Sequence, residues 1–169
     1  MDSRVDTEIL YTELFTPLFR FVFFRTKDYD VALDVTQTTF LKFLEQETMP
    51  NDSEHAKRLL YTIARTTLVD HWRSAQLRTH ESLKSDDVFA GTLPTPEELA
   101  QQRQDTAFVQ AVLTTLTDTE AEIIALRLSD EMPYDQIAAL LDIREANARQ
   151  IYSRALKKVE AVLRDSGQF

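Results

Sequence analysis

Six cations crowd the end of the chain, Arg144, Arg149, Arg154, Lys157, Lys158 and Arg164, and only Glu145 and Glu160 oppose them over the same stretch. Side chains of this type along one helix suit phosphate oxygens, where neutralisation releases counterions. Residues 105–143 are the reverse, with Arg127 alone among Asp105, Asp118, Glu120, Glu122, Asp130, Glu131, Asp135 and Asp142. The formal net charge of −9 argues against nucleic acid as a partner of the chain as a whole. Charge is screened over about 8–10 Å, however, so a local cationic excess still steers towards phosphate. A solvated basic helix face is the alternative reading of the same residues.

Catalytic chemistry has little to work with. His55, His71 and His80 are 16 and 9 residues apart, which is no helical metal pair. Asp70 and His71 are adjacent, so on a helix their side chains diverge by about 100° and form no relay. There is no cysteine, which excludes disulfides, thiolate metal sites and thiol nucleophiles. With only Gly91 and Gly167 in the chain, neither a phosphate-cradling loop nor a dinucleotide-binding turn can be built. No enzyme, cofactor or metal is expected. The polar start and the lack of a long apolar run predict a cytoplasmic protein with no membrane insertion.

The elements that must carry these residues are helical. From 7 to 78 apolar residues recur at three and four, with no alternating pattern. The first stripe holds Ile9, Leu10, Leu14, Phe15, Leu18, Phe21 and Val22, and Pro17 inside it predicts a kink or break near Thr16. A second helix, about 30–47, sets Ala32, Thr36, Phe40 and Phe43 on one face and Asp30, Asp34, Gln37 and Leu41 on the other. The Pro50-Asn51-Asp52-Ser53 loop opens a third helix from about 54 to 73 or beyond, with Leu60, Ile63, Ala64 and Thr67 inward. Residues 74–95 lose the apolar period and read as a linker. Capping boxes at Thr95 and Thr117 restart helices, the second carrying Ile123, Ile124, Ala125 and Leu128. Near the end, residues 134–141, a turn at Asp142-Ile143-Arg144 and a final helix to about 163 have helix-turn-helix spacing, with an ordinary αα-hairpin as the alternative.

Residues 134–143 (Tyr-Asp-Gln-Ile-Ala-Ala-Leu-Leu-Asp-Ile), followed by Ala148-Arg149 and Ser153-Arg154-Ala155, resemble region 4 of bacterial extracytoplasmic-function sigma factors. Residues 34–41 (Asp-Val-Thr-Gln-Thr-Thr-Phe-Leu) resemble their region 2.2. Residues 60–65 (Leu-Tyr-Thr-Ile-Ala-Arg), with Asp70 and Arg73, resemble regions 2.3 and 2.4. The resemblance covers roughly 7–78 and 96–164. It implies an all-α chain of two small helical domains, a region 2 bundle (1–78) and a region 4 helix-turn-helix (96–169), joined by a flexible linker (79–95).

What the resemblance implies about function is a dissociable sigma subunit, monomeric when free, that directs promoter recognition, DNA melting and initiation by bacterial core RNA polymerase. Asp30, Asp34, Gln37 and Leu41 would meet the beta-prime clamp helices, and region 4 the beta flap. Arg58, Tyr61, Arg65, Thr66, Trp72 and Arg73 would hold the minus-ten element of promoter DNA, where stacking and basic groups capture unpaired bases. Tyr61 and Trp72 read equally well as core aromatics, and Asp70 as a partner for a nearby arginine. Arg144, Asn147, Arg149, Gln150, Ser153, Arg154, Lys157 and Lys158 would read the minus-thirty-five element. Asp86 and Asp87 in the linker would thread towards the active-centre cleft, or form part of a plain tether. An anti-sigma factor is implied as regulator, and Thr36, Thr38 and Thr39 beside the docking face permit a phosphorylation switch.

The chain departs from the family pattern at Leu33, where glutamate is usual, at Thr66 for asparagine, at Asp142 for the turn glycine and at Ile151 for a basic residue. These departures bear on docking strength and promoter sequence. Two other readings share parts of the pattern: a polymerase-binding decoy without promoter activity, and a helix-turn-helix repressor, which would dimerise and ignore polymerase.

Overall fold

The computed structural model describes residues 5–77 and 107–167, and every regular element among them is a helix. α1 (Thr7–Thr26) starts on Asp6, whose carboxylate accepts from the backbone N–H groups of Glu8 and Ile9, and ends at Lys27 in left-handed geometry. It is continuous through Pro17, so of the kink or break expected there the break is not formed. Loss of one helical donor is outweighed by burial of Leu10, Leu14, Leu18, Phe21 and Val22 along the same face.

α2 (Tyr29–Leu44) buries Ala32, Val35, Thr36, Thr39, Phe40 and Phe43. Against it, α1 sets an aromatic ladder at spacing four, in which Phe15 stacks on Phe19 and Phe19 on Phe23, while Tyr11 tilts onto Phe40. α3 (Ser53–Leu77) closes this first bundle with Ala56, Leu60, Tyr61, Ala64 and Leu68 inward.

Residues 107–115 (α4) lead through Leu113 and Leu116, both buried, into α5 (Asp118–Asp130). The predicted capping box is complete: Thr117 Oγ1 accepts from the Glu120 N–H, and Glu120 Oε2 accepts from the Thr117 N–H. α6 (Tyr134–Leu141) and α7 (Glu145–Asp165) follow. The Thr95 cap and the linker with Asp86 and Asp87 lie outside the described residues.

The two helical units do not stand apart. α5 packs lengthwise on α1 as well as on α7, and α6 touches α3. Ile123, Leu126, Met132 and Ile137 join the same apolar cluster as Leu18, Phe21 and Leu60, while Phe23 and Phe24 of α1 pack on Leu113, Leu116 and Ile124. Leu128, expected on the core stripe, instead faces outward at 58% exposure, because the buried run of α5 ends two residues earlier, at Leu126, on the other side of the helix.

Removing the Thr117 hydroxyl exposes how much the cap of this central helix contributes. Thr117→Ala is expected to destabilise the chain by about 1 kcal/mol, lowering its thermal midpoint by about 3 °C, as read by circular dichroism.

Candidate nucleic-acid interface

The helix-turn-helix is held from within. Asp142 takes φ 54° and ψ 48°, so the expected turn is made without glycine, and its N–H donates to the Ala138 carbonyl. Ile137, Ala138 and Leu141 of α6 and Ala148 and Ala155 of α7 are buried, the small alanines letting α7 lie close. Arg127 of α5 locks the pair: its guanidinium donates to the Met132 carbonyl at 2.9 Å and lies 4.7 Å from the Tyr134 ring centroid.

This packing leaves one long face of α7 outward. Arg144, Asn147, Arg149, Gln150, Ser153, Arg154 and Lys157 are all exposed there. Lys158 is different, since its Nζ donates to Glu120 Oε2 at 2.7 Å, tying α7 to the cap of α5. Burial works to raise the Glu120 carboxyl, but hydrogen bonds from Lys158 and Thr117 carry it below its ordinary value. Arg149 lies over Tyr134, 4.5 Å from the centroid, and pairs with Glu145 one turn back.

In the first bundle the outer face of α2 is free: Asp30, Asp34, Gln37 and Leu41 are exposed, as their spacing requires. Beside them runs an apolar groove of about 330 Å³, lined by Tyr11, Gln37, Phe40, Leu41 and Leu44. Tyr11 and Leu44 were missed from sequence; their signal is two large apolar side chains left over by the core stripes. Thr36 and Thr39 are fully buried, and each hydroxyl donates to the carbonyl one turn back at 2.7 Å. A kinase has no access to either, which corrects the phosphorylation expectation there.

α3 divides its predicted residues. Arg58, Thr66 and Arg73 are exposed, and Trp72 and Arg65 half-buried. Tyr61 is a core residue, 1% exposed and edge-on to Phe21, so its ring offers no stacking platform. Burial and the Asp130 carboxylate push its hydroxyl pKa up. Asp70 pairs with Lys42 of α2 at 3.4 Å, a lysine where an arginine was expected.

One residue that sequence reasoning passed over joins this surface. Arg25, at the end of α1, lies 4.7 Å over the Trp72 ring and lines a recess of about 400 Å³ with Arg65, Thr66, Trp72 and Arg73. Its only sequence signal was a cation in the last turn of an apolar helix, which also suits the helix dipole. The recess is closed by α5: Glu122 Oε1 lies 3.3 Å from Arg25 Nε and 3.6 Å from Arg65 Nε, and Asp118 Oδ2 lies 2.9 Å from Arg25 Nη1. Burial raises the Glu122 carboxyl above its ordinary value despite both arginines. Arg65 also donates to the Leu140 carbonyl at 2.8 Å. At the far end of the contact, Lys57 meets Asp130 at 3.0 Å, where burial again raises the carboxyl.

Two family models match this arrangement, sigma-70 region 2 over residues 10–78 and sigma-70 region 4 over residues 112–161. The chain belongs to the extracytoplasmic-function sigma factors of the sigma-70 family. It is 26% identical over 142 residues to the RNA polymerase sigma factor YlaC of Bacillus subtilis, covering 83% of this chain and 82% of that one. With the sigma factor SigM of the same organism it shares 25% over 158 residues, 90% and 92% of the two chains. In fold it is similar to the sigma factor RpoE of Bartonella quintana, solved in complex with the anti-sigma factor NepR, at TM-score 0.64 and 18% identity over 94% of this chain and 97% of that one.

As a sigma factor, the chain directs promoter-specific transcription initiation and is no enzyme. Among the described residues no helix is long and apolar enough to cross a membrane, and no acidic or histidine cluster is placed to hold a metal.

The left-handed turn that sets α7 gives a direct check. Asp142→Ala is expected to destabilise the chain by about 1–2 kcal/mol, whereas Asp142→Gly should stay within about 0.5 kcal/mol of the parent, both measured by urea denaturation.

Proposed function

We propose that this sigma factor divides its work between the outer face of α2, the polar side of α3 and the outward face of α7, with region 2 extending to residue 78, a linker over 79–95 and region 4 from 96 to 169. The outer face of α2, with Asp30, Asp34, Gln37 and Leu41, docks on the beta-prime clamp helices of core RNA polymerase, and region 4 meets the beta flap. The groove beside Leu41 supports this reading, because a polar stripe edged by exposed apolar side chains has the make-up of a protein contact.

Arg58, Arg65, Thr66, Trp72 and Arg73 hold the minus-ten element as it melts. Tyr61 supports that helix from the core. Arg144, Asn147, Arg149, Gln150, Ser153, Arg154 and Lys157 face the minus-thirty-five element, and Lys158 contributes by fixing α7 to α5. The observation that carries this is the outward polar and basic face of α7 on a helix-turn-helix whose opposite face packs inward through Ala148 and Ala155. The protein acts in the cytoplasm, is monomeric when free, and answers to an anti-sigma factor, as the Bartonella structure illustrates for its own sigma factor.

Run-off transcription from fragmented genomic DNA of the source bacterium, with its core polymerase, tests the whole reading. Discrete transcripts that require this protein are expected; stable core binding without transcripts would instead identify a decoy. Asp34→Ala with Gln37→Ala should weaken core binding by about 1–3 kcal/mol, about 5- to 150-fold, and unchanged affinity would remove the docking assignment. Arg149→Ala with Arg154→Ala should leave core binding intact while flattening the salt dependence of promoter binding by a slope of about 2.

A further inference from the structure

The minus-ten and minus-thirty-five positions are about 25 base pairs apart by their names, about 85 Å along B-DNA at about 3.4 Å per base pair. In this structure the two readers are in contact, since Arg65 of α3 hydrogen-bonds the carbonyl of Leu140, just before the turn into α7. The packed arrangement therefore cannot serve both elements at once. What fills the region 2 surface in it is acidic: one carboxylate oxygen of Glu122 faces two guanidinium groups, and Asp118 takes a second edge of Arg25. This is the charge pattern that a nucleic-acid phosphate would present to the same arginines.

Resting on the minus-ten reading above, we infer that Glu122 and Asp118 of α5 compete with DNA for Arg25 and Arg65, and that Arg25 becomes a phosphate contact of single-stranded DNA once α5 withdraws. Three features converge on this. The Glu122 side chain is 7% exposed, so its pairing depends on the packed state, whereas Asp118 is 75% exposed and adds little beyond steering. Arg25 is held over Trp72, which gives the recess a cation beside an aromatic face, the pairing that binds a sugar-phosphate strand with a stacked base. Arg65 and Arg73 continue the same wall, so withdrawal of α5 would free Arg25 and Arg65 beside the indole and the already exposed Arg73. The face of α7 stays open throughout, which makes the occlusion selective for region 2.

The chain has no cysteine, so dyes can be placed cleanly through Glu47→Cys in region 2 and Glu160→Cys in region 4, both exposed positions. Energy transfer between them reports packing, and anisotropy of a fluorescein-labelled single-stranded DNA of mixed sequence reports binding by the full chain. Asp118→Asn with Glu122→Gln should lower transfer and tighten DNA binding at least about fivefold, the factor by which the open fraction rises. Adding Arg25→Gln to that variant should return the affinity to within about twofold of the parent while transfer stays low. Because linkage is reciprocal, saturating DNA should also lower transfer in the parent protein, a measurement that stands even if the variant does not fold. Transfer unchanged by saturating DNA, or by the two substitutions in a folded variant, overturns the inference, as does opening without tighter binding. If, in the opened variant, Arg65→Gln weakens binding and Arg25→Gln does not, the inference fails while the minus-ten reading stands. If neither weakens it, both fall.

Discussion

α5 is buried over seven successive residues, Glu120 to Leu126. A surface helix shows an inward stripe about 100° wide, whereas seven consecutive buried positions cover about two turns and leave no outward side. In the packed arrangement such a helix is enclosed, and this one lies between α1 and α7. Its enclosure makes the cores of the two helical units continuous, so that Phe21 and Ile123 belong to one apolar cluster. It also buries two carboxylates, and buried charge persists only with a partner. Glu120 finds Lys158 on one side; Glu122 finds Arg25 and Arg65 on the other.

The uneven charge along the chain follows from that geometry. Residues 105–143 are almost purely acidic because part of their acid faces arginines and a lysine of the first bundle, at Arg25, Arg65 and Lys57. The cations of α7 are mostly left for solvent and for phosphate. A net charge of −9 is thus compatible with DNA binding, since the acids are concentrated away from the outward face of α7, whose cations set the local field.

Much of the local structure was readable from residue types alone. The capping box at Thr117, the short helix after Pro133, the left-handed turn at Asp142 and the two faces of α2 depend on neighbours within about four positions, and side-chain chemistry at that range is written in the sequence. Expectations failed where a distant element intervened. Of the kink or break expected at Pro17 the break is absent, because the apolar face of α1 is buried on both sides of it; Leu128 stays outside the buried run that ends at Leu126; and of the two readings of Tyr61 the core one holds. Thr36 and Thr39, polar and beside a docking face, lie buried where α2 packs on α1 and α3, at little cost because their hydroxyls bond back to their own helix.

By itself, then, the sequence determined the helices, their caps and turns, the outward stripes of α2 and α7, and, through three motifs in order, the family. Only the tertiary structure decided which arginines are free and which are engaged. Periodicity specifies the direction in which a side chain leaves its own helix, but it carries no information about the helix that arrives opposite. Arg25 and Glu122 are 97 positions apart, and their pairing exists only because α5 is enclosed between two bundles.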